Sequence, residues 1–138
     1  MNGSAISGDP ESAVPRSAPH VVRLSILLVE DDKPLLDSTA DALAALGHLV
    51  YRAVDARQAG VFLKANVVGV LMTDINLPDM SGEVLAAEAR ALHPQIKIVF
   101  VTGRSDIRDP ETSGLDPYLL RKPYDLAAIE ALLDALTA

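Results

Sequence analysis

The 138-residue sequence has no cysteine and no tryptophan, and only two phenylalanines and three tyrosines. Without thiols there is no disulfide framework, no thiolate zinc site and no cysteine nucleophile. Long apolar runs are missing too: those present are strand-sized, far short of the ~18 residues of a membrane span, and Met1-Asn2-Gly3-Ser4 does not begin a signal peptide. Positive charge is scarce, with twelve Lys and Arg against nineteen Asp and Glu and a net charge of -7. That balance repels phosphate backbones and anionic lipid, which argues against direct nucleic-acid binding and against membrane insertion. The chain reads as cytoplasmic. Its length, set against ~150 residues per domain, leaves room for one domain and excludes a second catalytic one. What the sequence does have is 49% hydrophobic and 22% charged residues, a balance that can bury a core.

The first twenty residues hold four Ser, three Pro and two Gly and carry no apolar periodicity, so residues 1–22 read as a mobile tail and 23–138 as the domain. From Ser25 the pattern changes. Residues 25–29 are a short apolar run suited to a strand buried on both faces. Pro34 suits a first helical turn, Leu36, Ala40, Leu43 and Leu46 recur at helical spacing, and Gly47 ends the helix. The alternation repeats with strands over 49–53, 67–72, 96–101 and 118–120. The helices between them start at Asp55 and after Ser81, and Asp125 caps the last. Strands alternating with helices imply right-handed crossovers, a parallel sheet and helices on both faces. Between the fourth and fifth strands, residues 103–117 contain Pro110, Gly114 and Pro117, which supports at most two helical turns; a fourth helix there is short or labile.

In an open parallel sheet, ligands bind beyond the carboxyl ends of the strands. Glu30, Asp31 and Asp32 follow the first strand, Asp74 the third, Thr102 the fourth and Lys122-Pro123 the fifth. If those strands are neighbours, two or three carboxylates, a hydroxyl and an ammonium meet at one rim. Crowded carboxylates repel unless a cation intervenes, and oxygen-only ligands select Mg²⁺ or Mn²⁺ over zinc. Mg²⁺ commonly bridges to phosphoryl groups, a carboxylate can become an aspartyl phosphate, and Lys122 and Thr102 would each serve one phosphoryl oxygen. Asp32 beside Pro34 reads as a helix cap, and Asp79, Ser81 and Gly82 as residues that shape a loop and cap the next helix. His20, His48 and His93 lack the mutual spacing of a metal site.

These residues resemble the receiver domains of two-component response regulators. The segments 27–32, 71–82, 101–103 and 121–123 are similar, in order, to that family's four signatures. The resemblance spans roughly residues 24–137, and it implies a flavodoxin-like, doubly wound five-stranded sheet of order 2-1-3-4-5. It further implies Asp74 as phosphoacceptor, with Glu30, Asp31, Asp74 and the backbone carbonyl of Asn76 holding Mg²⁺, and a commonly cis bond before Pro123. Implied partners are a histidine kinase or histidine phosphotransfer protein and an unknown downstream protein, with no separate substrate turnover. The sequence departs from the family at Leu119, where an aromatic is frequent; Tyr118 lies one residue earlier.

Two readings compete. A small aspartyl-nucleophile phosphatase of the haloacid-dehalogenase type would carry an acid/base Asp two residues after the nucleophile, and Asn76 cannot move a proton that way. A flavodoxin-like nucleotide binder would want a Gly- or Ser/Thr-rich loop after the first strand, where Glu30-Asp31-Asp32 repels phosphate. The expected product is a single-domain response regulator, or alternatively a receiver module excised from a hybrid histidine kinase.

Overall fold

Alternating apolar side chains on five short strands feed two separate cores, and this places every helix. The computed structural model describes residues 22–103 and 114–138. In chain order the elements are β1 (Ser25–Val29), α1 (Lys33–Ala45), β2 (Leu49–Ala53), α2 (Ala56–Ala65), β3 (Val70–Asp74), α3 (Gly82–Leu92), β4 (Lys97–Thr102), β5 (Tyr118–Arg121) and α4 (Leu126–Thr137). The strands form one parallel sheet of order β2-β1-β3-β4-β5, the doubly wound topology expected above. Leu27, Val29, Leu71, Ile98 and Phe100 point to the face covered by α2 and α3. Ile26, Leu28, Val70, Met72, Val99 and Val101 point to the face covered by α1 and α4. Both faces are buried, which is why the central strands read as continuous apolar runs rather than alternating ones.

Helix starts follow the cap chemistry. Asp32, Asp55, Ser81 and Asp125 occupy the N-caps, each accepting a hydrogen bond from a backbone N–H within its own first turn, a contact worth about 1 kcal/mol. Gly47 closes α1 with a φ of 101°, a left-handed conformation that costs glycine little.

Strand boundaries differ from expectation. The third strand begins at Val70, not at residue 67, because pairing with β1 starts at Ile26 opposite Val70, while Val67 is 80% exposed. It also runs two residues further, so Asp74 is the last residue of β3. In the same way β4 covers Lys97–Thr102 and β5 ends at Arg121. The short helix expected within 103–117 and the tail over 1–22 fall chiefly on residues 104–113 and 1–21, outside the described residues.

Candidate functional site

Strands β1, β3, β4 and β5 end side by side, and their last or next residues build one rim. Glu30 lies just past β1, with its backbone N–H donating to Ala53 O at 3.0 Å, and its side chain is buried. Asp31, the next residue, is exposed. Asp74 ends β3 and is 6% exposed. One carboxylate oxygen from each of Glu30, Asp31 and Asp74 lies within 4.8 Å of the others.

Lys122 enters the same rim from the far end of β5. Its Nζ is 2.9 Å from Glu30 Oε1 and 2.9 Å from Asp74 Oδ2. Its backbone N–H donates to Thr102 O at 2.7 Å, so the start of the β5–α4 connection is bolted to the end of β4. The Lys122–Pro123 peptide is cis, as the resemblance implied. Asp74 Oδ1 accepts from the backbone N–H of Asn76 at 3.2 Å, and Glu30 Oε2 accepts from that of Asp32 at 3.1 Å. Thr102 is buried at the end of β4, and its hydroxyl has no hydrogen-bond partner among the described residues. A buried hydroxyl without a partner carries a desolvation cost of about 1–3 kcal/mol, so an acceptor reaching this rim would relieve it.

The electrostatics follow from burial and pairing. Desolvation pushes the Glu30 carboxyl above its ordinary value, against the lowering effect of its hydrogen bonds with Lys122 and Asp32. Burial alone would lower the Lys122 ammonium; its hydrogen bonds to Glu30 and Asp74 outweigh that and hold it above its ordinary value. Among the described residues, three carboxylates thus share the rim with the Lys122 ammonium. Oxygen donors this close, two of them desolvated, fit a hard divalent cation.

The loop after Asp74 is fixed from two sides. A Cβ on Gly82 would collide with Asp74 O and stand 3.0 Å from Ile75 Cα, so only glycine lets α3 begin against the back of Asp74. Asp79 does not cap α3, as the sequence suggested. Its carboxylate accepts from the N–H groups of Ala56 and Arg57 at 3.0 and 2.9 Å, which ties the loop to the start of α2, and those bonds hold its carboxyl below the usual range. Ser81 does cap α3, accepting from Glu83 N at 3.1 Å, and Asp32 caps α1. His48 and His93 stand away from the rim: His48 Nδ1 accepts from Leu24 N at 3.0 Å, and His93 Nε2 lies 2.8 Å from Leu63 O. Leu119 is 40% exposed on β5, while Tyr118 packs partly into the core under α4.

Sequence reasoning missed one contact near the site. The hydroxyl of Tyr124, two residues after Lys122, shares a 2.7 Å hydrogen bond with the buried Thr39 hydroxyl of α1. The partners are 85 residues apart and no periodicity signals them. Only the register of β5 against β4 and the seating of α1 on the sheet bring them together.

The model of the response regulator receiver domain matches residues 26–134. The response regulator receiver protein CpdR of Brucella abortus is 33% identical over 103 residues, covering 73% of this chain and 86% of its own length. The gliding motility regulatory protein of Myxococcus xanthus is 32% identical over 127 residues, covering 87% of this chain, which spans only 16% of that protein. Among solved structures, a CheY-like receiver domain from Methylobacillus flagellatus superposes with a TM-score of 0.75 at 27% identity, over 83% of this chain and 99% of the other. Sheet order, acidic rim and family match agree: the chain belongs to the response regulator receiver domain family.

Proposed function

We propose that this chain is a phosphoacceptor signalling module in which Asp74 takes a phosphoryl group from the histidine of a partner histidine kinase or histidine phosphotransfer protein. A carboxylate oxygen of Asp74 forms the new P–O bond as the P–N bond of the phosphohistidine breaks, and the imidazole leaves with the electron pair. In this reading Glu30, Asp31, Asp74 and the backbone carbonyl of Asn76 hold Mg²⁺, which when bound neutralises charge on the phosphoryl oxygens. The Lys122 ammonium serves a second oxygen and the Thr102 hydroxyl donates to a third. The resulting aspartyl phosphate changes a protein-binding face read by a downstream partner. The module occupies residues 23–138 with residues 1–22 as a tail outside it, works in the cytoplasm, and turns over no separate substrate.

The observation that carries this reading is the meeting of three carboxylates within 4.8 Å at a rim where Lys122 bridges two of them. The Thr102 hydroxyl, without a partner among the described residues, supports the phosphoryl subsite. Asn76, standing where an aspartyl phosphatase would need a proton donor, speaks against that alternative. The test is intact mass after acetyl phosphate treatment with and without Mg²⁺. One phosphoryl group gained only with Mg²⁺, and not by Asp74→Asn, is the expected result; no gain in the parent, or equal gain in the variant, overturns it.

A further inference from the structure

The β5–α4 connection carries Lys122 and is held at two points. At one end the Lys122 N–H donates to Thr102 O at 2.7 Å. At the other, the Tyr124 and Thr39 hydroxyls meet at 2.7 Å. Thr39 lies on the buried side of α1, 3% exposed, and α1 is the helix whose N-cap, Asp32, directly follows Glu30 and Asp31. The helix that begins at the acidic cluster therefore also anchors the segment that brings in the ammonium. From this geometry we infer that Tyr124 is a positioning residue for Lys122, its hydroxyl bond to Thr39 setting where the ammonium stands relative to Glu30, Asp74 and an incoming phosphoryl group. The inference rests on the phosphoacceptor reading above and deepens it.

The physical case has three parts. Lysine has a long, flexible side chain that loses rotamer freedom whenever its head is fixed, so the position of its backbone decides how readily Nζ reaches a given point. The Lys122 head is held by two carboxylates, and swinging it toward a phosphoryl oxygen keeps it useful only if its backbone stays put. Tyr124 is well suited to hold that backbone: burial pushes its phenol above the ordinary value, and its surroundings include the charges of Glu30, Lys122 and Asp74. The hydroxyl is therefore neutral across the physiological range and available as a fixed hydrogen-bonding group.

Tyr124→Phe and Thr39→Val each remove one hydroxyl and keep the ring or the branched stem, while Thr39→Ser keeps the hydroxyl. Binding of Mg²⁺ alone, then of beryllofluoride at saturating Mg²⁺, is measured by calorimetry on the full chain. Beryllofluoride affinity should fall roughly three- to tenfold in Tyr124→Phe and Thr39→Val, the range of one hydrogen bond. Mg²⁺ affinity should stay within about twofold, because the acidic cluster is held by β1 and β3, and Thr39→Ser should bind like the parent. Both hydroxyl deletions binding beryllofluoride as the parent does, or losing Mg²⁺ and beryllofluoride affinity in equal measure, would overturn the positioning role. If the parent itself binds no beryllofluoride, the phosphoacceptor reading fails instead.

Discussion

The two ends of the same sheet treat polar side chains in opposite ways. At the amino end of the strands, four of these side chains find structural partners in the fold. Ser25 Oγ accepts from Gly69 N at 2.8 Å, His48 accepts from Leu24 N, and the Lys97 ammonium donates to Leu136 O. The Arg90 guanidinium donates to the carbonyls of Ile96, Gly114 and Leu115. At the carboxyl end, three carboxylates crowd together beside the Lys122 ammonium, and the buried Thr102 hydroxyl has no partner among the described residues. The amino end uses polarity to satisfy backbone groups, whereas the carboxyl end, beyond the backbone bonds of Glu30 and Asp74, crowds like charges together, and crowded charge in a buried rim is where a ligand gains most.

The largest test of this contrast is Asp31→Asn. Removing one of three carboxylates should weaken Mg²⁺ binding on the order of tenfold or more, with Glu30→Gln milder, while Lys97→Met at the opposite end leaves it unchanged. A titration in which Asp31→Asn binds Mg²⁺ as tightly as the parent would erase the distinction between the ends. Gly82→Ala comes next. Its Cβ has no room against Asp74 O, so urea unfolding should show a loss of about 1–3 kcal/mol, and a loss below that range would mean α3 can shift without cost.

Smaller effects probe the amino end. Burial holds the His48 imidazole below its ordinary value, and its Nδ1 must be unprotonated to accept from Leu24 N. The unfolded chain therefore binds the proton more readily, so the contribution of His48 is present above the unfolded value of about 6.5 and is lost as pH falls through and below it. The parent's melting temperature should drop between about pH 7 and pH 5 by more than that of His48→Gln; parallel curves would show that the Leu24 contact carries no stability. The smallest effect is expected at the β2 edge, where Arg52 pairs with Asp37 and Asp41 at 2.9 and 3.1 Å in the open. Asp41→Asn should stay within about 0.5 kcal/mol of the parent, and a larger loss would give that edge a structural weight comparable to the rims.

Much of this was legible from residues alone. The apolar runs around Leu27, Leu71 and Val99, the caps at Asp32, Asp55, Ser81 and Asp125, and the polar residue closing each strand all depend on neighbours within a few positions. The start of β3 was not legible, because Val67 and Val68 are as apolar as Val70 and only pairing with Ile26 decides which of them joins the sheet. Asp79 offered a local cap and took a remote one, since the start of α2 lies within reach of its carboxylate only after both helices pack on the same face.

Local chemistry in the sequence thus determined the alternation of strands and helices, the acidic residues after β1, and Asp74, Thr102 and Lys122 at strand ends. Those features rest on period, side-chain type and capping, which act over a turn or less. The tertiary structure alone decided that Lys122 spans Glu30 and Asp74, that the Thr102 hydroxyl is buried without a partner among the described residues, and that Tyr124 meets Thr39. Each of those depends on parallel register between strands far apart in sequence, and the free energy that selects a register comes from burying both faces of the sheet at once.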